Sequence, residues 1–378
     1  MARVPSYQKT TALVSRALAL APEALVAGFV PATQVDLPQI VALRKQVIGP
    51  ALVWDDLRYL TWRYHCGSAE QGRGECWVLK RGADVLAMVG SEVISVLHQG
   101  RAVSGLSAMD IAVRPDLEGV GLGVWMAMRL CEQFDCVLVV GSNANSRALV
   151  LRVFERLPDR RSYAHLIEFK ATFQRRFKPA WLAGCGAALA RWGMAGWRGA
   201  VAFTQDRSVQ IEPLMRFDES VNRLVTQSQS AHEVSLDRSA QFLNWRLFDN
   251  PRSTYSVWAA RDGEGLAGYI AVHIKLAEDG SKVLVIEDFL VRGGGQGAAV
   301  LRSLLCRAFA HALAESCERV SVIACHIDNE RVLRRLGFFA HRADAETLSV
   351  RCRDAHLSEA IAAGVPWHLT GANTDRDD

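Results

Sequence analysis

The sequence predicts an α/β (α+β) protein built as two tandem copies of one strand-and-helix unit, and three observations carry that reading. The chain has 378 residues, enough for two domains that each bury their own core. An apolar strand, Ile111–Val113, gives way to glycines at alternate positions (Gly119, Gly121, Gly123) and then to helical spacing over Val124–Phe134. The same order of elements starts again after Leu236, with a period too long for a solenoid.

Half the residues are apolar and 22% are charged, which describes a globular rather than a disordered chain. The net charge is only +4 and the basic residues form no long block, so nucleic acid is not an expected partner. A mild basic bias fits a phosphorylated small ligand equally well. The nine cysteines are an odd number without C-x-x-C spacing and mostly sit in apolar runs, so they read as reduced core thiols of a cytoplasmic protein. No run of about 18 uncharged apolar residues occurs, so no membrane span is expected.

In chain order, Thr11–Leu20 is interrupted by Arg16 and reads as an N-terminal helix within residues 1–23 rather than a signal core. The first domain, 24–165, opens with an apolar segment, Leu25–Val30, and a helix led by Asp36. Tyr59–Tyr64 carries Trp62-Arg63; a hairpin follows about Arg81–Asp84, then strands over Glu92–Leu97 and Val103–Val113. After the glycine turn come a buried strand, Cys136–Val140, and a helix, Arg147–Leu157. Residues 166–235 read as a linker whose Gly-, Ala- and Trp-rich tract, 180–203, is an interdomain helix or, alternatively, a peripheral contact with a membrane surface. In the second domain, 236–378, Trp245-Arg246 echoes Trp62-Arg63, a hairpin surrounds Asp262–Gly265, and Gly293–Ala299 stands where the first glycine turn stood. The repeated Trp-Arg is expected to pack each early helix on its sheet, with an acidic-substrate role for Arg63 and Arg246 as the lesser reading.

The glycine turn has a physical reading of its own. Glycines let the backbone turn without a Cβ in the way, and the free N–H groups of a helix N-terminus attract an anion. The stretch is therefore a candidate phosphate cradle.

Glu118-Gly-Val-Gly121-Leu-Gly123 resembles the Q/R-x-x-G-x-G/A motif of the GNAT acyltransferase superfamily, with Glu where Gln or Arg is usual. The second copy is a more worn version: Gly297 and Ala299 fit, Gly294 occupies the first position, and the loop from Val291 is two residues shorter. Asn329…Leu336-Gly337-Phe338 is similar to the family's Asn-x-x-Ala…Leu-Gly-Phe ending. The resemblance covers roughly residues 24–165 and 236–350. It implies two tandem GNAT-like domains, each a mixed β-sheet flanked by helices, with acyl-CoA where two central strands splay. It also implies cofactor-binding residues: Ile111, Ala112 and Val113 along the pantetheine arm, Glu118, Gly119, Val120, Gly121, Leu122 and Gly123 at the diphosphate, and Asn145 beyond the next strand.

Acyl transfer to an amine needs a base, an oxyanion donor and an acid for the departing thiolate. Asp110, just before the splayed strand, is the first candidate for base or amine binder, and Glu92 on the neighbouring strand is the second. The family's usual acid is a Tyr in the helix after the fifth strand, but Arg152 stands there: either Tyr163 or a water serves, or the thiolate departs without an acid, or this half is not catalytic. The expected activity is acyl-CoA-dependent N-acyl transfer, acetyl first, to an amine of a small molecule or a sugar or peptide precursor. Acetyl-CoA or another acyl-CoA is the co-substrate, and no metal is implied. Two alternatives stay open: a Fem-like transferase using aminoacyl-tRNA, and a catalytically degenerate binding or scaffold pair.

Overall fold

The structure, a computed structural model, describes residues 6–50, 52–64, 74–141, 146–157, 161–169, 173–174, 180–203, 208–228, 234–324, 327–340 and 348–373. It divides into two compact units, neither contiguous in sequence. Unit 1 takes residues 1–159, 249–252 and 345–365; unit 2 takes 160–248, 253–344 and 366–378.

Unit 1 begins with α1 (Tyr7–Leu18), α2 (Pro22–Ala27), β1 (Phe29–Pro31), α3 (Leu37–Ile48) and α4 (Leu57–Tyr64). Then come β2 (Gly74–Arg81), β3 (Asp84–His98), β4 (Arg101–Val113), α5 (Leu122–Gln133), β5 (Cys136–Val140), α6 (Arg147–Val153) and β6 (Glu155–Arg156). Unit 2 holds β7 (Arg161–Leu166), α7 (Ala180–Phe203), β8 (Gln210–Pro213), α8 (Ser220–Ser228), β9 (Val234–Leu236) and α9 (Ala240–Leu243). It continues through β10 (Ser256–Asp262), β11 (Gly265–Leu276), β12 (Lys282–Val291), α10 (Gly294–Ala314), β13 (Arg319–Ala324), α11 (Ile327–Arg335) and β14 (Phe339–Ala340). The chain then gives β15 (Leu348–Cys352) and α12 (Ala355–Ala362) to unit 1, and β16 (Trp367–His368) to unit 2.

The unit 1 sheet runs β1-β2-β3-β4-β5-β15-β6, and the unit 2 sheet β14-β7-β13-β12-β11-β10-β8. In each, one central pair is parallel and its neighbours are antiparallel: β4 with β5 from Gly105↔Cys136 to Ala108↔Val139, and β12 with β13 from Val283↔Arg319 to Ile286↔Val322. Both sheets are thus mixed, and β2-β3-β4-β5 matches β10-β11-β12-β13 strand for strand. A buried helix packs on each: Trp125, Met126 and Leu130 of α5, and Leu301, Leu304, Leu305 and Ala308 of α10, lie in the cores. α10 is long and apolar enough to cross a membrane by length and composition, but half of its most apolar stretch is buried and it carries Arg302 and Arg307.

The linear split at 165 and 235 is not where the units divide. The fourth central strand is traded: β7 borders β13 in unit 2, and β15 borders β5 in unit 1. Tyr163 and Ile167 join the core of Trp258, Phe289 and Phe309, while Leu348 and Val350 are each 1% exposed. Alternating burial marks a strand without saying which sheet receives it. The segment expected as a linker contributes α7, β8 and α8 to unit 2. The apolar segment Leu25–Val30 divides: Leu25–Ala27 finish α2, which starts at Pro22, where proline's fixed φ and missing N–H favour a helix start, and Phe29–Val30 enter β1.

Val350→Asp places a charge opposite Leu138 in a closed sheet. It is expected to cost about 3 kcal/mol or more, read as a lower denaturant midpoint; a neutral result would show that β15 is dispensable to unit 1.

Candidate functional site

In unit 2, β12 outruns its parallel partner. Pairing with β13 ends at Ile286, whereas β12 continues to Val291 along β11. One edge of Phe289–Val291 thus faces away from β13, the edge an extended amide-bearing ligand can pair with. The strand then turns at Arg292-Gly293-Gly294, with Gly294 at φ 79, and α10 begins at once. Gly297 lies so close to the turn that a Cβ there would stand 1.9 Å from the Arg292 carbonyl oxygen, so only glycine lets the helix start this tightly.

Between this turn and α11 lies a cavity of about 410 Å³, lined by Phe289–Gly294, Gly297, Ala298, Leu301, Asn329, Arg331, Val332, Arg335 and His368. One wall is apolar. The other brings two guanidinium groups to a helix N-terminus of 21 residues, an arrangement suited to an anion on an apolar stem. Arg331 bonds Asp328 at 2.9 Å at the surface, whereas Arg292 is engaged with Asp262 and Glu264, each at 2.8 Å, and is not free for a ligand.

The strand end is held by a buried carboxylate. Asp288 accepts from Arg238 Nε at 3.2 Å, from Tyr269 Oη at 2.6 Å and from Thr370 Oγ1 at 2.6 Å. Arg238 also donates to Asn373 Oδ1 at 2.9 Å, so the segment after β16 is tied to β12. Burial, then the Asp288 charge, push the Tyr269 hydroxyl well above its usual range, so it stays a donor. His368 reaches the Phe289 carbonyl at 3.2 Å and Asn329 Nδ2 at 3.3 Å; a proton on Nε2 and a lone pair on Nδ1 satisfy both. Neighbouring Glu287 lies beside Arg246 and His273 Nδ1, each at 3.9 Å. Burial, with Lys275 and Arg246 adding, lowers His273 to about 4, so the ring is neutral at pH 7.

Unit 1 has the same geometry in a different condition. β4 also runs on past its last β5 pair, and two of its residues, Asp110 and Ile111, oppose the single Val89 in a bulge where Asp110 takes φ 53. Gly119 and Gly121 are left-handed, φ 82 each, with open space before them, and α5 starts at Leu122. A Cβ on Gly123, however, would stand 3.0 Å from Leu149 of α6, so here the helices close on each other.

Residues 219–338 match the model of the acetyltransferase (GNAT) family. This chain carries a GNAT domain. The match falls on the half whose glycine turn is the more worn, and on the cavity. The structure is similar to a GCN5-related N-acetyltransferase from Anabaena variabilis ATCC 29413, with TM-score 0.57 and 13% identity over 86% of this chain and 72% of that one. A GCN5-related N-acetyltransferase from Kribbella flavida is also similar, with TM-score 0.52 and 15% identity over 93% and 84% of the two chains. At these identities the likeness is one of fold, and it spans both units. No curated protein sequence matches the chain. The match gives residues 219–338 an acyltransferase fold, a fold that in general binds acyl-CoA.

The residues singled out from sequence fall as follows. Ile111, Ala112 and Val113 form the end of β4, Glu118–Gly121 the turn, and Leu122 and Gly123 the start of α5. Asp110 is bound by Arg44 at 2.9 Å, Arg63 at 3.6 Å and Tyr64 Oη at 3.2 Å. Glu92 is buried against Arg63 at 3.0 Å. Both carboxylates are therefore engaged, and the paired arginines Arg63 and Arg246, 2% and 0% exposed, serve buried carboxylates. Tyr163 belongs to unit 2, beneath Arg334 at 5.6 Å, so the geometry of unit 1 does not include it. Asn143 and Asn145 lie outside the described residues. Sequence reading missed Glu287, His273 and His368; the only signal was that Glu287-Asp288 occupies the place of Met109-Asp110.

His273 gives a pH test. In the folded protein it stays neutral down to about 4, whereas the unfolded ring titrates near the ordinary histidine value of 6.5. Stability attached to it is therefore whole above pH 6.5 and lost as pH falls toward 4. Between those limits wild type should lose about 3 kcal/mol relative to His273→Gln, read from urea midpoints at each pH; parallel profiles would contradict the assignment. Arg238→Met, which leaves Asp288 charged and unpartnered by a cation, should cost about 3–5 kcal/mol in the same assay.

Proposed function

We propose that this protein is an acyl-CoA-dependent N-acyltransferase whose acyl donor occupies the unit 2 cavity, rather than the glycine turn of unit 1. The observation that carries the reading is the cavity itself, opening where β12 parts from β13 and floored by the α10 N-terminus. The backbone N–H groups from Gly294 to Ala298 receive the diphosphate, Arg331 and Arg335 add charge, and the pantetheine arm runs along Phe289–Val291. In unit 1, where Leu149 packs toward Gly123, the Gly119–Gly123 turn serves on this reading as a chain reversal.

Glu287 is the proposed base. Of the two carboxylates at the start of the free strand, Asp288 is committed to Arg238, Tyr269 and Thr370, whereas Glu287 lies beside Arg246 and the neutral ring of His273, each at 3.9 Å. Glu287 takes the ammonium proton of the acceptor, and neutral His273 beside it adds no opposing charge. The amine then attacks the thioester carbonyl, the C–S bond breaks, and the proton shed by the attacking nitrogen goes to the departing sulfur, so that CoA leaves as the thiol. Acetyl is the proposed acyl group, and a small-molecule amine the acceptor. Four of the described cysteines, Cys76, Cys131, Cys136 and Cys317, are buried, and Cys131 is pushed up to about 12 by burial; buried thiols of this kind suit the reducing conditions of the cytoplasm.

Calorimetry with acetyl-CoA separates the two candidate sites. Ala298→Glu should weaken binding at least about ten-fold through like charge at the diphosphate, whereas Gly121→Glu should leave it unchanged. The reverse pattern would move the site to unit 1, and no binding by wild type would leave a non-catalytic pair. Glu287→Gln should lower kcat by about 10²–10⁴ with acetyl-CoA affinity intact.

A further inference from the structure

The long helix α7 of unit 2 is turned inside out relative to an ordinary surface helix. Trp181, Cys185, Leu189, Trp192 and Gly196 recur at helical spacing on one stripe, and every one is exposed. Trp181 is 71%, Leu189 74% and Trp192 75% exposed, among the most exposed large apolar residues described. The opposite stripe, Gly186, Ala187, Ala190 and Met194, is the covered one, with Gly186 against the Phe173 ring and α10 beside the helix. Small residues face inward and large aromatic ones outward. Burial within unit 2 does not account for the two tryptophans.

Charge selects the occupant. From Phe169 to Gln205 the sequence has no Asp or Glu, while it carries Lys170, Arg175, Arg176, Lys178, Arg191 and Arg198. Arg191 is exposed, and by helical rotation it lies about 80° from the Trp181 edge of the aromatic stripe. A second copy of this face would bring like charges together, whereas an anionic bilayer offers both partners at once: headgroup phosphates for the arginines, and the interface that Trp rings favour. With a length of about 36 Å at 1.5 Å per residue, α7 can lie along such a surface over several turns.

We propose that the exposed face of α7 docks this protein on anionic lipid bilayers, lying in the interfacial plane with Trp181, Leu189 and Trp192 inserted. The assignment is independent of the acyl-transfer reading, since no residue of α7 lines the cavity.

The test is co-sedimentation of the full chain with sucrose-loaded vesicles of phosphatidylcholine alone and of phosphatidylcholine with 30 mol% phosphatidylglycerol. Wild type should pellet with the anionic vesicles, lose that binding in high salt, and stay in solution with the neutral ones. Trp181→Ser/Leu189→Ser/Trp192→Ser should abolish binding, and Arg191→Gln should weaken it about five-fold, with melting temperatures kept near wild type. Equal binding to both vesicle types, or undiminished binding by the triple variant, would overturn the proposal. So would a wild-type dimer in light scattering that the triple variant converts to monomer without any vesicle binding, because the stripe would then be a contact between copies.

Discussion

Unit 2 depends on one buried carboxylate. Asp288 sits where β12 has just lost its parallel neighbour, and Arg238, Tyr269 and Thr370 all converge on it. A strand leaving its partner loses the hydrogen bonds that fixed its course. Here, side chains from β9's flank, β11 and the segment after β16 replace them, so the strand end stays extended with a free edge. Burying a charge this completely is tolerable only because the counter-charge and the remaining lone pairs are supplied together. Gly371 belongs to the same arrangement, since a Cβ there would meet the Glu287 carbonyl at 2.9 Å.

Asp110 plays the matching part in unit 1, bound by Arg44, Arg63 and Tyr64. Two copies of one fold thus secure the same strand bend with a carboxylate, an arginine and a tyrosine from different positions. They differ one layer further out. In unit 1 Leu149 of α6 packs toward Gly123 at the end of an open glycine turn; in unit 2 a tighter turn borders the cavity, to which α11 presents Arg331 and Arg335. A glycine motif measures how closely a ligand could approach the backbone. Whether there is room for the ligand is decided by the helix opposite.

That distinction sets what was legible in the sequence. The strand–turn–helix order, both hairpins, the duplication and the mixed α/β class could be read because apolar periodicity and turn glycines are local signals. The exchange of β7 and β15 could not, because nothing in an alternating strand names its neighbour. Asp110 was recognisable as special from its place at the strand bend, but its arginine partners come from α3 and α4, remote in sequence. The ranking of the two glycine turns rested on motif spacing alone, and the cavity depends on residues near Asn329 that the motif does not contain. α7 was visible as an apolar tract with few charges, while the outward placement of its tryptophans needed the packed helix.

The central claim is that the acyl donor is held by unit 2, between β12, α10 and α11. Hydrogen–deuterium exchange of the intact protein with and without CoA tests it most directly, since the ligand should cover backbone amides at its own site. The account predicts slowed exchange over residues 289–301 and 327–335, with 110–126 unchanged. Protection confined to 110–126 would contradict it.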